Sequence, residues 1–341
     1  MKLDTDTSEK SKKVALICGV SGQDGAFLAK LLLEKNYIVW GTSRDAQGSS
    51  FANLKALGIR DKVNVLSMSP EDFRSVIVTL KRSTPAEIYL LAGQSSVGLS
   101  FEQPAETMQS ITVGTLNLLE ACRFVDHPVR LYSAGSSECF GDTYGVAANE
   151  QTPFQPRSPY AVAKSSAFWL VDNYREAYGL YACTGILFNH ESALRPERFV
   201  TQKIIKAAAR IASGSPERLR LGRLDISRDW GWAPEYVEAM WRMLQQSEAE
   251  DFVIATGHTT KLESFVCEAF LAHGLDWKNH VDQADEFLRP TDLLVSKADA
   301  TKAAVKLGWR ATVMMPALVA KMVEGTAANP SGPRAGPFSA A

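Results

Sequence analysis

The sequence predicts an α/β fold: a doubly wound parallel sheet, followed by a smaller C-terminal α/β region that carries a substrate. Three observations lead there. Short apolar runs alternate with helical patterns between residues 14 and 188, the order that builds βαβ units. A glycine-rich turn joins the first run to the first helical pattern. A Ser-Ser-Glu segment and a Tyr-x-x-x-Lys pair follow the fifth run.

Residues 14–18 form the first strand. Gly19, Ser21, Gly22, Gln23, Asp24 and Gly25 then make a G-x-x-G-x-x-G turn ahead of a helix over 26–34. Glycine allows the tight turn, a close backbone approach to a pyrophosphate, and close packing of helix on strand. The helix N-terminus faces the phosphates. In strand–turn–helix context this reads as a Rossmann-type dinucleotide site rather than a merely tight turn. The second strand, 38–42, ends in Ser43-Arg44-Asp45, where a residue meets the adenosine ribose. The Arg44 fork suits a 2′-phosphate, whereas Asp45 suits the free hydroxyls of NAD. The expectation is NADP, with NAD as the alternative, and a solvated surface charge as the plain reading of Arg44.

Residues 63–66 read as a strand, 70–81 as a helix and 88–92 as a strand. Leu91, Ala92, Gln94 and Ser96, at and after that strand end, are expected over the cofactor or its substrate. A long helix over 107–125 and a strand over 129–134 deliver Ser136, Ser137 and Glu138. In open α/β sheets ligands lie outside the carboxyl ends of the strands, and both the glycine turn and the serine-glutamate segment fall there.

Prolines 153, 156 and 159 make an extended approach to a helix over 160–178. Tyr160 and Lys164, four apart, share one helix face. A free tyrosine has a pKa of about 10 and is a poor base at pH 7; a neighbouring ammonium favours phenolate. The pair can then take a proton from an alcohol as hydride leaves the same carbon. Two ordinary helix residues are the plain reading, and the preceding dinucleotide site is what outweighs it. The apolar stripe of this helix is expected to pack on the sheet or on a twin helix of a second subunit. A sixth strand, 182–188, ends in Asn189-His190-Glu191-Ser192. His190 reads as a structural or cofactor-facing group in preference to a base.

Beyond Arg195 the pattern changes. Helices are expected over 200–213, 235–244, 262–273, 300–306 (with Asp299 as N-cap) and 315–325, and strands at 219–225 and 252–255. Lys203, Arg228 and Arg289 form a diphosphate pocket if they converge, and are surface charges if they do not. Residues 13–190 read as the dinucleotide-binding region with the catalytic residues, and 191–325 mainly as the substrate-binding region, partly interleaved with the first. Segments 1–12 and 327–341 are polar or rich in Pro, Gly, Ser and Ala and are expected to be disordered.

The chain has 341 residues, 45% hydrophobic and 22% charged, with a net charge of −1. That is an ordinary globular composition, without the basic footprint of a nucleic-acid binder. No apolar run reaches membrane-spanning length. The five cysteines are scattered without metal-ligand spacing, so no metal is expected. They read as reduced thiols in a cytoplasmic protein, Cys139 among them as a small buried hydrophobe.

Several ordered motifs carry a family resemblance. Gly19-x-x-Gly22-Gln23-Asp24-Gly25, Ser137-Glu138-x-Phe140-Gly141, Pro156-Arg157-Ser158-Pro159-Tyr160, residues 185–192 (GILFNHES), Arg228-Asp229-Trp230-Gly231, residues 251–257 (DFVIATG) and Arg289-Pro290-Thr291 together resemble the GDP-mannose 4,6-dehydratase family, within the extended short-chain dehydrogenases/reductases. The resemblance implies a tightly held, internally recycled NADP. It implies that Tyr160, set by Lys164, deprotonates the 4-hydroxyl as hydride leaves carbon 4. Glu138 then takes the carbon 5 proton, Ser136 and Glu138 assist loss of water from carbon 6, and hydride returns there. It places Ser96, Ser137, Asn189, Val200, Lys203, Gly222, Arg228, Arg289 and Asp292 around the sugar nucleotide. His190, Glu191 and Arg195 fall by the cofactor.

Departures from the family pattern are visible. Ser136 stands for threonine and keeps the hydroxyl. Met68 or a neighbour stands for an adenine-contacting aspartate. Arg44-Asp45 stands for Arg-Arg before a short loop, so a dimer is expected and a tetramer is the alternative. Ser96 for histidine and Arg223 for asparagine leave room for another GDP-sugar, such as a GDP-heptose. A 4-keto sugar-nucleotide reductase or a 4-epimerase needs Tyr160 and Lys164 but no carbon 5 base, so Glu138 argues against both. A nucleotide-bound scaffold is the reading outside enzymes.

Overall fold

The computed structural model describes residues 12–288 and 290–328. The expectations for residues 1–11, for Arg289 and for 329–341 lie outside the described residues; residues 327 and 328 close a helix. The strands are β1 (Val14–Cys18), β2 (Ile38–Ser43), β3 (Asn64–Ser67), β4 (Glu87–Leu90), β5 (Arg130–Ala134), β6 (Tyr181–Leu187), β7 (Asn189–Glu191), β8 (Leu219–Leu221), β9 (Ser227–Trp232), β10 (Phe252–Ile254), β11 (Thr259–Lys261) and β12 (Val281–Gln283).

A seven-stranded sheet runs β10-β6-β5-β4-β1-β2-β3, and every pairing in it is parallel. A parallel sheet needs cover on both faces, and the side chains of β1 divide accordingly. Ala15 and Ile17 enter a core with Leu28 and Leu32 of the Gln23–Glu34 helix and with Val237 and Met240 of the Ala233–Met243 helix. Leu16 and Cys18 face Val76 and Leu80 of the Phe73–Ser83 helix, Leu118 and Leu119 of the Gly114–Arg123 helix, and Val171 of the Pro159–Tyr178 helix. The carboxyl ends lie level: Cys18 pairs with Leu90 and with Thr42, and Ala134 pairs with Gly185. The loops after β1, β4 and β5 therefore leave from one edge.

A second core joins Ile204 and Ile205 of the Val200–Ala212 helix to Phe265 and Phe270 of the Leu262–Leu271 helix and Leu318 of the Ala317–Ala328 helix. Two small sheets accompany it, β11-β9-β7 and β12-β8. The chain is interleaved: β10, from the C-terminal half, pairs in parallel with β6 at the edge of the large sheet.

The long helix expected over 107–125 is broken into Pro104–Met108, a π-turn at Gln109–Val113, and Gly114–Arg123. The Thr107, Ser110 and Thr115 hydroxyls donate to the carbonyls of Gln103, Thr107 and Ile111, a bonding mode that competes with the regular ladder. Across the π-turn the Thr112 hydroxyl donates to the Ala163 carbonyl at 3.3 Å. Asp299 stands one place before the N-cap of Thr301–Lys306, and its carboxylate accepts the Thr301 N–H at 2.9 Å. Strands β7, β9, β11 and β12 were not expected. Three of them are only three residues long, too short for an alternating pattern, and β9 (SRDWGW) carries charges that burial and pairing satisfy.

Candidate active site

The glycine turn is packed to the backbone limit. Gly19 has φ +91°, and a Cβ there would stand 3.0 Å from the Ala92 nitrogen. A Cβ on Gly25 would stand 2.3 Å from the Gly19 carbonyl oxygen, so no side chain fits between helix and turn. Gly22 precedes the helix without a side-chain cap, so the first helical N–H groups remain available to an anion. Ser21 is half-buried, its carbonyl accepting from Asn53 at 3.0 Å. Leu91 and Ala92 lie against Gly19. The Gln94 amide donates to the Ser96 carbonyl at 2.7 Å and to Thr107 at 3.3 Å, and Ser96 caps the Val97–Glu102 helix.

At the end of β2, Arg44 is exposed and stands 3.6 Å from Glu106. The Asp45 carboxylate accepts the N–H groups of Gln47 and Gly48 at 2.9 and 2.8 Å; it is occupied by its own loop. Met68, after β3, is buried.

Gln23, Asp24 and His190 form one hydrogen-bonded group in which Gln23 and His190 are buried and Asp24 half-buried. Asp24 Oδ2 lies 2.9 Å from His190 Nε2, and His190 Nδ1 lies 2.8 Å from the Phe188 carbonyl. Both ring nitrogens face acceptors, an arrangement that favours the doubly protonated ring. Burial alone would neutralise both partners, but each charge outweighs it: His190 is raised above its ordinary value by Asp24, and Asp24 is held below its own by His190. The ring stacks on Tyr236 at 4.6 Å and 19°. Gln23 donates to the His190 carbonyl at 3.2 Å and accepts from Ser192 at 2.7 Å. Arg195 donates to the same carbonyl at 3.0 Å and pairs with the buried Glu191 at 3.0 Å, which also accepts from Thr201 at 2.6 Å. Burial raises the Glu191 carboxyl despite these partners.

Ser136, Ser137 and Glu138 leave β5 in a tight 3-10 turn over Ser137–Phe140, with the Ser136 hydroxyl accepting the Glu138 N–H at 3.3 Å. Ser137 is buried. Gly135 is indispensable here, because a Cβ would stand 2.7 Å from Thr184 Cγ2 and 3.0 Å from the Gly185 oxygen; the sequence shows only a glycine after a strand. The facing helix starts cleanly: the Ser158 hydroxyl accepts the Ala161 N–H at 3.1 Å and Pro159 takes the first turn. Lys164 Nζ donates to the Ala134 carbonyl at 2.7 Å and stands 5.9 Å from the Tyr160 ring centre. Burial pushes the Tyr160 phenol well up, against the pull of a hydrogen bond with Ser136 and the positive charge of Arg195. Burial pushes the Lys164 ammonium down to about 8. Tyrosine, serine, lysine and glutamate thus meet between the end of β5 and the Pro159–Tyr178 helix, a constellation able to move protons to and from a hydroxyl. Cys139, beside them, is buried and pushed up to about 11 by that burial, an unreactive thiol.

The other predicted residues lie in the C-terminal half and in the strand that leads to it. Asn189 lies in β7, paired with Trp230. Val200 opens the helix whose Lys203 donates to the Arg220 carbonyl at 2.8 Å and stands 4.1 Å over the Phe287 ring. Gly222 meets the Phe287 backbone, where a Cβ would stand 2.9 Å from its oxygen. Arg228 is buried and lies 3.5 Å from Asp292. Phe287 thus touches both Lys203 and Gly222, and Asp292 lies by Arg228; Arg289 lies outside the described residues. Tyr236, which seats His190, gave no sequence signal, because only folding brings it there. Among the described residues no three His, Cys, Asp or Glu side chains are placed to hold a metal, and no helix is long and apolar enough to cross a membrane.

Solved structures share this architecture. A Thermus thermophilus UDP-glucose 4-epimerase in complex with NAD superposes with a TM-score of 0.80 at 23% identity, covering 92% of this chain and 98% of that one. A Bacillus anthracis dTDP-glucose 4,6-dehydratase superposes at 0.81 with 17% identity, covering 93% and 97%. Sequence relatives are nearer. The GDP-mannose 4,6 dehydratase 1 of Arabidopsis thaliana is 45% identical over 92% of this chain and 90% of its own. The GDP-mannose 4,6-dehydratase of Sinorhizobium fredii is 44% identical over 92% and 96%, and that of Homo sapiens 41% over 92% and 91%. The GDP-mannose 4,6 dehydratase family model matches residues 16–322, and with that coverage the chain belongs to the GDP-mannose 4,6-dehydratase family.

Proposed function

We propose that this protein is a lyase that converts GDP-mannose to GDP-4-keto-6-deoxymannose. The observation that carries the reading is the meeting of Ser136, Glu138, Tyr160 and Lys164 beside an uncapped, glycine-lined helix N-terminus. Tyr160 takes the proton of the 4-hydroxyl, with Ser136 and Lys164 supporting the phenolate. Glu138 takes the proton that the 4-keto group acidifies at carbon 5 and returns one to the departing 6-hydroxyl, as a single carboxylate can. A bound nicotinamide dinucleotide supplies the hydride acceptor for carbon 4 and the donor for carbon 6.

Gly19, Ser21, Gly22, Gln23, Asp24, Gly25, Leu91, Ala92, Gln94 and Lys164 form the cofactor's bed in this reading, braced by His190 and Arg195. Ser96, Ser137, Asn189, Val200, Lys203, Gly222, Arg228, Arg289 and Asp292 hold the sugar nucleotide, so that residues 191–325 serve mainly the substrate and 13–190 the cofactor. NADP is the preferred dinucleotide: Asp45 is spent on its own loop, and Arg44 remains accessible for a 2′-phosphate. A dimer follows from Val162 and Trp169, exposed on the outer face of the catalytic helix at 42% and 58%; sedimentation of a monomer at micromolar concentration would refute it. The expected compartment is the cytoplasm, which cell fractionation checks.

Incubation with GDP-mannose and mass analysis of the sugar nucleotide tests the activity. Loss of one water without net consumption of added NADP is expected. Turnover of a GDP-heptose alone would move the substrate, and no turnover of any GDP-sugar would overturn the reading. Tyr160→Phe should abolish the first oxidation, while Glu138→Gln should stall after it with reduced cofactor accumulating.

A further inference from the structure

Among the arginines between residues 191 and 242, Arg198 alone has no acid partner among the described residues. Arg195 pairs with Glu191, Arg210 with Glu197 and Glu217, Arg218 with Asp282, Arg220 with Glu286, Arg223 with Asp225, Arg228 with Asp292 and Arg242 with Glu238. Arg198 has neither an acid partner nor a hydrogen bond among the described residues. Its guanidinium lies 5.0 Å from the centre of the Phe199 ring, which also carries Arg195 at 4.0 Å. Two guanidinium groups thus share one ring. The nearby acids are committed elsewhere: Glu197 to Lys206 and Arg210, Glu191 to Arg195 and Thr201. Arg198 is exposed, and desolvation and the neighbouring charge of Arg195 both lower it.

The position is informative. Arg198 immediately precedes Phe199, the uncapped N-cap of the helix that carries Val200 and Lys203. Arg195, one helical turn earlier in sequence, is close enough to Tyr160 to bias its ionisation. The segment between them therefore passes from the proton-transfer residues to the residues assigned to the substrate. A planar fork held against an aromatic ring is pre-organised for phosphate oxygens.

We propose that Arg198 is a further binding residue that donates to the diphosphate of the GDP-sugar; this rests on the reading of the site as a GDP-sugar site. The cofactor also carries a pyrophosphate, and the test separates the two. Calorimetric titration of the full-length protein with GDP, guanosine and NADP compares the wild type with Arg198→Ala and Arg198→Lys. GDP binding should weaken about 10- to 100-fold in Arg198→Ala, the range of a charge-assisted hydrogen bond, and recover in part in Arg198→Lys. Guanosine and NADP affinities should hold, and the salt dependence of GDP binding should become shallower. Equal GDP affinity in wild type and Arg198→Ala overturns the inference while leaving the dehydratase reading intact. A loss confined to NADP overturns it by assigning the guanidinium to the cofactor. A wild type that binds no GDP overturns the reading beneath it.

Discussion

Replacing Lys164 by methionine isolates the electrostatic support of the phenolate while keeping the volume of the side chain. The ammonium stands 5.9 Å from the Tyr160 ring centre. At an effective dielectric of about 20, a unit charge at that separation stabilises a phenolate by about 3 kcal/mol, roughly a hundredfold in phenolate population. Lys164→Met should therefore lower single-turnover oxidation of GDP-mannose about a hundredfold at pH 7. The gap should then close with pH. Burial brings the ammonium down to about 8, so at pH 9.5 only about a thirtieth of it remains charged, and the wild-type advantage shrinks to a few fold. The assay is stopped-flow absorbance of the reduced nicotinamide between pH 6.5 and 9.5, with melting temperatures to detect any cost of losing the bond to Ala134. A rate ratio that stays flat across that range, or a variant retaining half of the wild-type rate, would refute the electrostatic argument.

Asp24→Asn tests the ion pair with the buried His190. The raised His190 contributes stability below the ordinary histidine value of 6.5 and loses it as pH rises through the folded value; the lowered Asp24 contributes above 3.8 and loses it as pH falls. Urea unfolding should show the largest deficit, about 3 kcal/mol, near pH 5.5, and a smaller one at pH 9; an equal deficit at both would argue that the histidine is neutral. Gly25→Ala places a methyl 2.3 Å from the Gly19 oxygen, a backbone atom that cannot swing away. A loss of about 1–3 kcal/mol and of dinucleotide binding is expected, read by thermal melting with and without NADP, and an unchanged melting temperature would show that the turn yields. Arg44→Ala should weaken NADP about tenfold or more and leave NAD unchanged, measured by fluorescence titration; equal losses for both would remove Arg44 from the 2′-phosphate.

Much of the large sheet was legible because its strands are apolar runs separated by helices of ordinary period, and because parallel strands buried on both faces cannot tolerate another pattern. The relation of Tyr160 to Lys164 was legible because four residues along a helix set both on one face. The Gln109–Val113 π-turn was not, because three hydroxyls redirect backbone bonds inside an otherwise helical sequence. The extra short strands were not, because each forms only against partners distant in the chain.

By itself, then, the sequence determined the βαβ order, the tight glycine turn after the first strand and the shared helix face of Tyr160 and Lys164, all products of local geometry. Only the tertiary structure decided which charges neutralise one another. Asp24 finds His190, Asp45 turns inward to its own loop, and Arg198 alone among its neighbours keeps no acid. Ion pairs form through space at a few ångströms, and the distance along the chain between two charges carries no information about that separation.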